Sequence, residues 1–273
     1  MGRNTFANQV VWITGASSGI GEALAVEFAR QRARLVLSAR RRDELERVRQ
    51  RCLDTDAGRG TILVLPLDIT DHDAMPAAVE EVTTTIGPVD LLINNAGISQ
   101  RSKCLDTDLA VYRRLFEIDV FGQIALTRAV LPGMLARSSG HIAVTSSVAG
   151  KVGAPFRTGY CAAKHAVMGF FDALRAEVDE HGIEVSTIVP GFIRTNISKA
   201  AITGTGEAFG RTDSNIAGGM DPDAAARVIV KGLARGKMEI PVGKGMEMHA
   251  LWLKRFFPGL VLRLASRIGR PDE

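Results

Sequence analysis

Cysteine is scarce in this chain of 273 residues, and its three cysteines, Cys52, Cys104 and Cys161, form no C-x-x-C pair. An odd number of scattered thiols predicts neither a disulfide framework nor a zinc site. No uninterrupted apolar run reaches the roughly 18 residues that a membrane-spanning helix needs. Residues 1–9 also lack the apolar core of a signal peptide. We therefore expect reduced thiols, a cytoplasmic location and no bound metal.

The chain also has little excess of charge of either sign. Its 34 basic and 30 acidic residues leave a formal net charge of +4, and no basic stripe is interleaved with aromatic residues. This balance argues against a nucleic-acid partner. A hydrophobic fraction of 46% is ordinary for a globular protein and argues against disorder.

Short apolar runs alternate with longer helical patterns along most of the chain. The runs are apolar almost without interruption, as in strands buried on both faces of a parallel sheet. This rhythm predicts an α/β fold with a doubly wound parallel sheet, in one domain with a C-terminal helical tail. The strand candidates are Val10–Thr14, Arg34–Ser38, Thr61–Leu67, Asp90–Asn94, His141–Thr145, Glu184–Val189 and Met238–Val242.

A glycine-rich segment, Thr14–Gly21, joins the first strand to a helix with the spacing G-x-x-x-G-x-G. Glycines there allow a tight turn and let backbone N–H groups approach a phosphate, while the helix N-terminus adds partial positive charge. The spacing differs from the commoner G-x-G-x-x-G, so an ordinary glycine-rich turn is the alternative. The segment favours a dinucleotide site.

The second strand ends in Arg40 and Arg41, without the acidic residue that would bind the ribose 2′-hydroxyl of NAD. An arginine at this point can pair with the 2′-phosphate of NADP. Arg40 is the first candidate and Arg41 the second, and Ser17 in the glycine turn could donate to the same phosphate. For Arg41 and Arg42, a solvated start of the next helix is the alternative.

Tyr160 and Lys164 lie four residues apart, on one face of a predicted helix. A phenol with an ordinary pKa near 10 is a poor acid or base at neutral pH, and a nearby ammonium makes it a better one. Ser147 follows a strand candidate and could bind a substrate oxygen. Tyr-x-x-x-Lys alone is weak evidence, but it gains weight beside the glycine turn and the serine.

Together these motifs resemble the short-chain dehydrogenase/reductase family over about residues 7–240. The resemblance implies a Rossmann-like fold, an NADP(H) cofactor and hydride transfer between the cofactor and a carbonyl/alcohol pair. The residues that carry it are Thr14–Gly21, Asn94-Asn95-Ala96-Gly97, Ser147, Tyr160, Lys164 and Pro190-Gly191.

The resemblance also implies a role for individual residues. Ser147 would orient the substrate oxygen, Tyr160 would transfer the proton, and Lys164 would assist Tyr160 and bind the nicotinamide ribose. The remaining cofactor contacts would come from Gly15, Ser17, Ser18, Gly19 and Ile20 at the pyrophosphate and adenosine, Asp68 and Ile69 at the adenine, Asn95 and Gly97 beneath the cofactor, and Thr195 at the nicotinamide amide.

One position departs from the family pattern. The family usually has an asparagine on the long helix before the serine-bearing strand, where it holds a water linking the lysine to solvent. This chain has Asp119 there. A carboxylate can hold a water but adds charge, so Asp119 is a candidate member of the proton relay, and the alternative is that it points away.

The tail is predicted as helical from Met248 to Ile268, with apolar and basic faces. We divide the chain into a cofactor-binding catalytic domain, residues 1–244, and an amphipathic tail, residues 245–273. The tail either lies on an anionic membrane surface or covers the substrate cleft or a subunit interface. Residues 150–177 resemble a family branch that includes membrane-associated reductases.

The expected substrate is a small-molecule carbonyl or alcohol, apolar and lipid-like or steroid-like, because either role of the tail places apolar surface near the active site. The resemblance implies a homodimer or homotetramer. The alternative function is a non-enzymatic NADP(H) sensor or scaffold, which the fold alone does not exclude.

Overall fold

The computed structural model describes residues 6–55 and 60–265. Seven parallel strands form one sheet in the order β3-β2-β1-β4-β5-β6-β7. The strands are β1 (Val10–Thr14), β2 (Arg34–Ala39), β3 (Ile62–Pro66), β4 (Leu91–Asn94), β5 (Gly140–Thr145), β6 (Ile183–Pro190) and β7 (Glu239–Val242).

Helices follow the strands on both faces of this sheet. They are α1 (Gly19–Arg30), α2 (Arg42–Leu53), α3 (Met75–Thr85), α4 (Leu109–Phe116), α5 (Gly122–Arg137), α6 (Thr158–Val178), α7 (Ser214–Ala217), α8 (Pro222–Leu233), α9 (Glu247–Phe256) and α10 (Pro258–Ala265). The predicted doubly wound α/β fold is confirmed, and each predicted strand lies within a residue or two of its observed position.

Two apolar layers hold the helices against the sheet. Helices α1, α2 and α8 pack on one face, where Phe28 is fully buried, and α3, α5 and α6 pack on the other, around Phe171. Burial of each phenylalanine contributes on the order of 2–3 kcal/mol. Because both faces are covered, the strands are apolar along their length rather than alternating.

The strand order reverses between β1 and β4, since β2 and β3 lie on one side of β1 and β4 to β7 on the other. In doubly wound sheets a crevice opens at this point, outside the carboxyl ends of the strands. The fold thereby brings together the segments that follow β1, β2, β4, β5 and β6.

Helices α4 and α5 run on from one another through a π-helical turn, Glu117–Phe121. By length and composition alone, the resulting 29-residue helix is apolar enough to cross a membrane. Its apolar residues Leu126 and Val130 pack into the core against the sheet, which accounts for the apolar composition.

The C-terminal part of the chain is less regular. Between Thr195 and Gly219, the structure has the single short helix α7 and two isolated β-bridges, both at Ile202. The predicted tail helix is two helices, α9 and α10, separated at Phe257 before Pro258. Its predicted end at Ile268 lies outside the described residues.

Candidate active site

A cavity of about 950 Å³ occupies the crevice at the carboxyl edge of the sheet. Every predicted catalytic or cofactor-binding residue except Asp119 contributes to its lining. Residues separated by more than a hundred positions therefore meet at one place, as the topology predicts.

The glycine turn after β1 is held against the end of β4. Gly15 and Gly19 have φ of 64° and 61°, in the left-handed region that glycine tolerates best. The Thr14 hydroxyl oxygen accepts hydrogen bonds from the backbone N–H groups of Asn95 and Ala96, at 2.9 and 3.1 Å. The Asn95 side-chain amide donates to the carbonyl of Thr14 at 3.1 Å. This arrangement fixes the turn at the mouth of the cavity.

Arg40 and Arg41 lie at the end of β2 on the rim of the same cavity, with Ser17 close by in the glycine turn. Both arginines are exposed, whereas Arg42 begins α2 and does not line the cavity. Asp68, after β3, also lines this end of the cavity. The backbone N–H of Thr70 lowers the pKa of its carboxyl, with a contribution from Arg40.

A buried carboxylate in the first turn of α1, Glu22, was not identified from the sequence. Glu22 accepts hydrogen bonds from Arg47, at 2.7 and 2.9 Å, and from Arg51. Burial opposes ionisation of Glu22, but the two arginines outweigh it and lower the pKa. Since Glu22 is already paired, its charge does not cancel those of Arg40 and Arg41 on the rim.

The catalytic candidates come from β5 and α6. Ser147 follows β5, and its Oγ accepts a hydrogen bond from the N–H of Ala149 at 3.1 Å. Tyr160 and Lys164 lie one turn apart on α6, and both are almost fully buried. The Lys164 ammonium lies 5.7 Å from the centre of the Tyr160 ring and donates to the carbonyl oxygen of Thr145 at 3.1 Å.

Asp119 does not point away: it forms a direct ion pair with Lys164. Its Oδ2 lies 3.2 Å from Lys164 Nζ, and its Oδ1 accepts a hydrogen bond from the N–H of Ile98 at 2.7 Å. Burial alone would lower the pKa of Lys164, but the Asp119 carboxylate, and then Tyr160, raise it above its ordinary value. Lys164 is therefore held in its charged form beside Tyr160.

The backbone at Asp119 explains how this carboxylate reaches the lysine. Asp119 is in the π-helical turn, where one extra residue per turn shifts the direction of the side chains. Gly97 leaves the space: a Cβ added there would lie 3.2 Å from Asp119 Oδ1 and 3.3 Å from Lys164 Nζ. The geometry thus depends on both a helix irregularity and a glycine.

Gln100 supports the catalytic helix and was not identified from the sequence. Its side chain is fully buried, and Oε1 accepts hydrogen bonds from the N–H groups of Gly159 and Tyr160, at 2.7 and 3.4 Å. Its amide nitrogen donates to Ser102 and Thr107. Gln100 therefore satisfies donors of the first turn of α6, which carries Tyr160. No sequence motif marks such a residue.

Helices α9 and α10 cover part of the cavity, as one of the two predictions for the tail had it. Ala250, Leu253, Val261 and Leu264 contribute apolar lining. Glu247 Oε1 accepts a hydrogen bond from the N–H of Phe192 at 3.3 Å, which ties α9 to the segment after β6. Thr195, in that segment, also lines the cavity and lies next to Gly19.

Among residues 6–55 and 60–265, no group of three histidine, cysteine or acidic side chains is arranged to hold a metal ion. The cavity itself is lined by the serine, the tyrosine, the lysine and the glycine turn.

Comparison with known families identifies this arrangement. Residues 9–205 match the family described as short chain dehydrogenase. The chain belongs to the short-chain dehydrogenase/reductase family. It is therefore an oxidoreductase with a nicotinamide cofactor, as predicted.

Curated relatives match over most of the chain. A dehydrogenase/reductase SDR family protein 7-like of Anopheles gambiae is 43% identical, over 92% of this chain and 80% of its own length. Dehydrogenase/reductase SDR family member 7B of Bos taurus is 41% identical, over 97% and 83%. Dehydrogenase/reductase SDR family member 7 of Homo sapiens is 39% identical, over 96% and 78%.

Solved structures agree in fold. A short-chain dehydrogenase/reductase of Burkholderia phymatum in complex with NAD superimposes with a TM-score of 0.82 at 23% identity, covering 95% of this chain and 96% of its own. A metagenomic short-chain oxidoreductase in complex with NADP gives a TM-score of 0.71 at 29% identity, covering 87% and 98%. Since the two neighbours hold different cofactors, they leave the choice between NAD and NADP to this chain's own residues.

Proposed function

We propose that this protein is an NADP(H)-dependent oxidoreductase that interconverts a carbonyl compound and its alcohol, acting on CH–OH groups. One observation carries the proposal: Tyr160 lines the cavity with Ser147, and its ring lies 5.7 Å from an ammonium held in its charged form. A pure sensor or scaffold would not need this combination of three side chains.

The residues of the cavity fit NADP(H). When bound, the cofactor would supply the hydride for reduction of the carbonyl, or accept one in oxidation of the alcohol. Arg40, with Arg41 beside it, would hold the 2′-phosphate, since no acidic residue ends β2. Lys164 would bind the nicotinamide ribose. The other holding residues would be Gly15, Ser17, Ser18, Gly19, Ile20, Asp68, Ile69, Asn95, Gly97 and Thr195.

The chain's own residues would manage the proton. Ser147 Oγ would donate a hydrogen bond to the substrate oxygen, and Tyr160 would give its phenolic proton to that oxygen during reduction. The Lys164 ammonium stabilises the negative charge that then develops on the tyrosine oxygen. Asp119 keeps Lys164 charged and partly offsets this help, because it is itself negative.

The substrate end of the cavity supports an apolar, lipid-like or steroid-like substrate. Leu253, Val261 and Leu264 of the two C-terminal helices contribute apolar surface there. Apolar pockets with a few placed polar groups are typical of small-molecule sites. Residues 1–244 would then form the catalytic domain, and residues 245–273 a tail that shapes its substrate specificity.

A peripheral membrane contact is a second proposal, favoured by the outer face of the same helices. Trp252 and Phe256 are 73% and 65% exposed, and Phe257 and Leu262 are exposed beside them. Large apolar side chains next to the exposed Arg255 fit an anionic bilayer surface. Flotation with anionic liposomes tests this: Trp252→Ser with Phe256→Ser should abolish binding, and equal flotation of both proteins would rule the contact out.

Location and assembly remain expectations. We propose a cytoplasmic protein, at a membrane surface if the contact above holds, that forms a homodimer or homotetramer. Light scattering on the purified protein measures the assembly, and a monomer at all concentrations would reject it.

The experiment that tests the proposed function is an NADPH-oxidation screen over ketones and aldehydes graded by size and polarity. We expect turnover with apolar ketones, and a stronger response with NADPH than with NADH. If NADPH binds but no carbonyl compound is reduced, the sensor or scaffold alternative is favoured.

A further inference from the structure

A largely buried ionic cluster that the proposed proton transfer does not use lies in the wall of the cavity. Arg101 follows β4, Arg157 precedes α6, and Asp213 precedes α7. Asp213 Oδ2 pairs with Arg101 and lies 3.1 Å from Arg157 Nη2. All three residues line the cavity that Ser147 and Tyr160 line.

The cluster carries one more positive charge than negative. Its side chains are only 17%, 14% and 4% exposed. Among residues 6–55 and 60–265, Asp213 supplies the only carboxylate within ion-pair distance of either guanidinium. A buried charge without a full complement of partners is costly. Burial, together with Arg157, lowers the pKa of Arg101 to about 10.

Asp213 is also committed elsewhere. Its Oδ1 accepts a hydrogen bond from the N–H of Asn215 at 2.9 Å, and its own N–H donates to Ser198 Oγ at 3.1 Å. Two guanidiniums thus share one oxygen of a carboxylate that caps α7. Guanidinium groups can each bind two oxygens of a planar anion, so this cluster has donors to spare.

The cluster lies in the same cavity as the residues that would transfer the proton. Arg157 is the residue just before α6, three positions before Tyr160. A group bound by Arg157 would therefore share the cavity with a carbonyl compound held by Ser147 and Tyr160. Apolar lining comes from Ala250, Leu253, Val261 and Leu264 of the two C-terminal helices.

We infer that Arg101 and Arg157 bind an oxyanionic group of the substrate, so that the preferred substrate is an apolar carbonyl compound that carries a carboxylate or phosphate. This inference rests on the proposed function and narrows its substrate class. The rival explanation is a latch, in which the cluster only ties residues 195–219 to the body of the protein.

The test compares γ-oxooctanoate with its methyl ester, two substrates that differ in one charge. The measurement is kcat/KM with NADPH. The unmodified protein should prefer the acid, and Arg157→Gln should reduce that preference by about ten- to a hundredfold, the usual weight of a charge-assisted hydrogen bond. Arg227→Gln, on the exposed side of α8, is the matched control and should change neither substrate.

Asp213→Asn separates the two explanations by the sign of its effect. Removal of the competing carboxylate leaves both guanidiniums to the ligand, so the preference for the acid should rise. If the cluster only ties residues 195–219 to the body of the protein, Asp213→Asn and Arg157→Gln should each break this tie. Each variant should then lower kcat/KM for the acid and for the ester equally. That parallel loss overturns the inference.

A ligand-binding measurement tests this inference separately from the proposed function. Isothermal titration of octanoate, octyl phosphate and octanol needs no turnover and separates the two oxyanions from a neutral chain. In the unmodified protein, octanoate, octyl phosphate or both should bind more tightly than octanol. Compared with the unmodified protein, Arg157→Gln should bind the oxyanion more weakly and Asp213→Asn should bind it more tightly. Equal binding of all three ligands overturns the inference, even if the enzyme reduces neutral ketones. If the oxyanions bind as expected but no carbonyl is reduced, the proposed function fails alone.

Discussion

The two ends of the cavity are built in different ways. The cofactor end is formed by short motifs at the ends of β1, β2 and β4, and Asn95 joins the turn after β1 to the next strand in the sheet. The substrate end is assembled from residues 195–219 and the two C-terminal helices, which have no recognisable local motif, together with α6, which carries the Tyr-x-x-x-Lys motif. The proposed cofactor end is therefore built largely from local motifs, whereas the proposed substrate end depends on contacts between distant segments.

Tyr160 lies where the two ends meet, and its removal should have the largest effect. Tyr160→Phe deletes one hydroxyl, so NADPH should still bind while kcat falls by at least about a hundredfold. Tyr112→Phe is the matched control, since in the part of the chain that the structure describes the Tyr112 hydroxyl bonds only Thr158, at the surface. Titration calorimetry and steady-state rates separate binding from turnover. Full activity of Tyr160→Phe would remove the tyrosine from the mechanism.

Arg40→Ala should damage the cofactor end alone. Loss of one phosphate contact should weaken NADPH by about ten- to a hundredfold, and leave NADH nearly unchanged. The dissociation constants of both cofactors measure this, with Arg42→Ala as the control because Arg42 does not line the cavity. Equal affinity of the unmodified protein for NADPH and NADH would contradict the assignment of Arg40.

Asp119→Asn tests how the negative charge of Asp119 affects proton transfer by Tyr160. At about 7 Å and an effective dielectric near 20, a carboxylate opposes tyrosinate formation by roughly 2 kcal/mol. The Asp119 carboxylate also raises the pKa of Lys164, so its removal should lower that pKa as well. The apparent pKa in the pH profile for alcohol oxidation should therefore fall by about one to two units.

The control for this profile is Glu117→Gln, in the same π-helical turn, where the carboxylate faces His72 rather than Lys164. The plateau rate of Asp119→Asn should stay within a few-fold of the unmodified enzyme, since asparagine can still hold a relay water. Superimposable profiles for Asp119→Asn and the unmodified protein would remove Asp119 from the relay.

Leu253→Ala, at the substrate end of the cavity, should have the smallest effect of these variants. The half-buried side chain lines the cavity, and its truncation should cost about 1 kcal/mol of apolar contact, or roughly fivefold in KM for an apolar ketone. NADPH affinity should not change. Trp252→Ala, beside it but 73% exposed, should leave KM unchanged. A change in NADPH affinity without one in KM would place α9 over the cofactor instead.

The fold and the cofactor end could be predicted because they depend on local patterns. Buried strands are visible as apolar runs, and Gly15 and Gly19 mark a turn that few other residues can form. Tyr160 and Lys164 are visible through helical spacing. Asp119 could be located but not oriented, since the π-helical turn that points it at Lys164 leaves no pattern in the sequence.

The substrate end could not be predicted because its contacts join distant segments. Gln100 bonds the first turn of α6 across 59 residues, and Arg101 meets Asp213 across 112. Nothing in the sequence near Arg101 or Arg157 indicates a shared carboxylate. Only the tail was anticipated in part, as a helix that covers the cleft, while its division at Pro258 into two helices required the structure.

The most direct test of the central claim is hydride transfer itself, followed with NADPH that carries deuterium at the transferable position of its nicotinamide ring. A ketone from the screen is incubated with the unmodified protein and with Tyr160→Phe, and the product alcohol is examined by mass spectrometry and NMR. We predict one deuterium on the carbinol carbon with the unmodified protein, and almost no product with Tyr160→Phe despite bound NADPH. Binding of NADPH with no labelled alcohol from any ketone, or equal labelling by both proteins, would contradict the account.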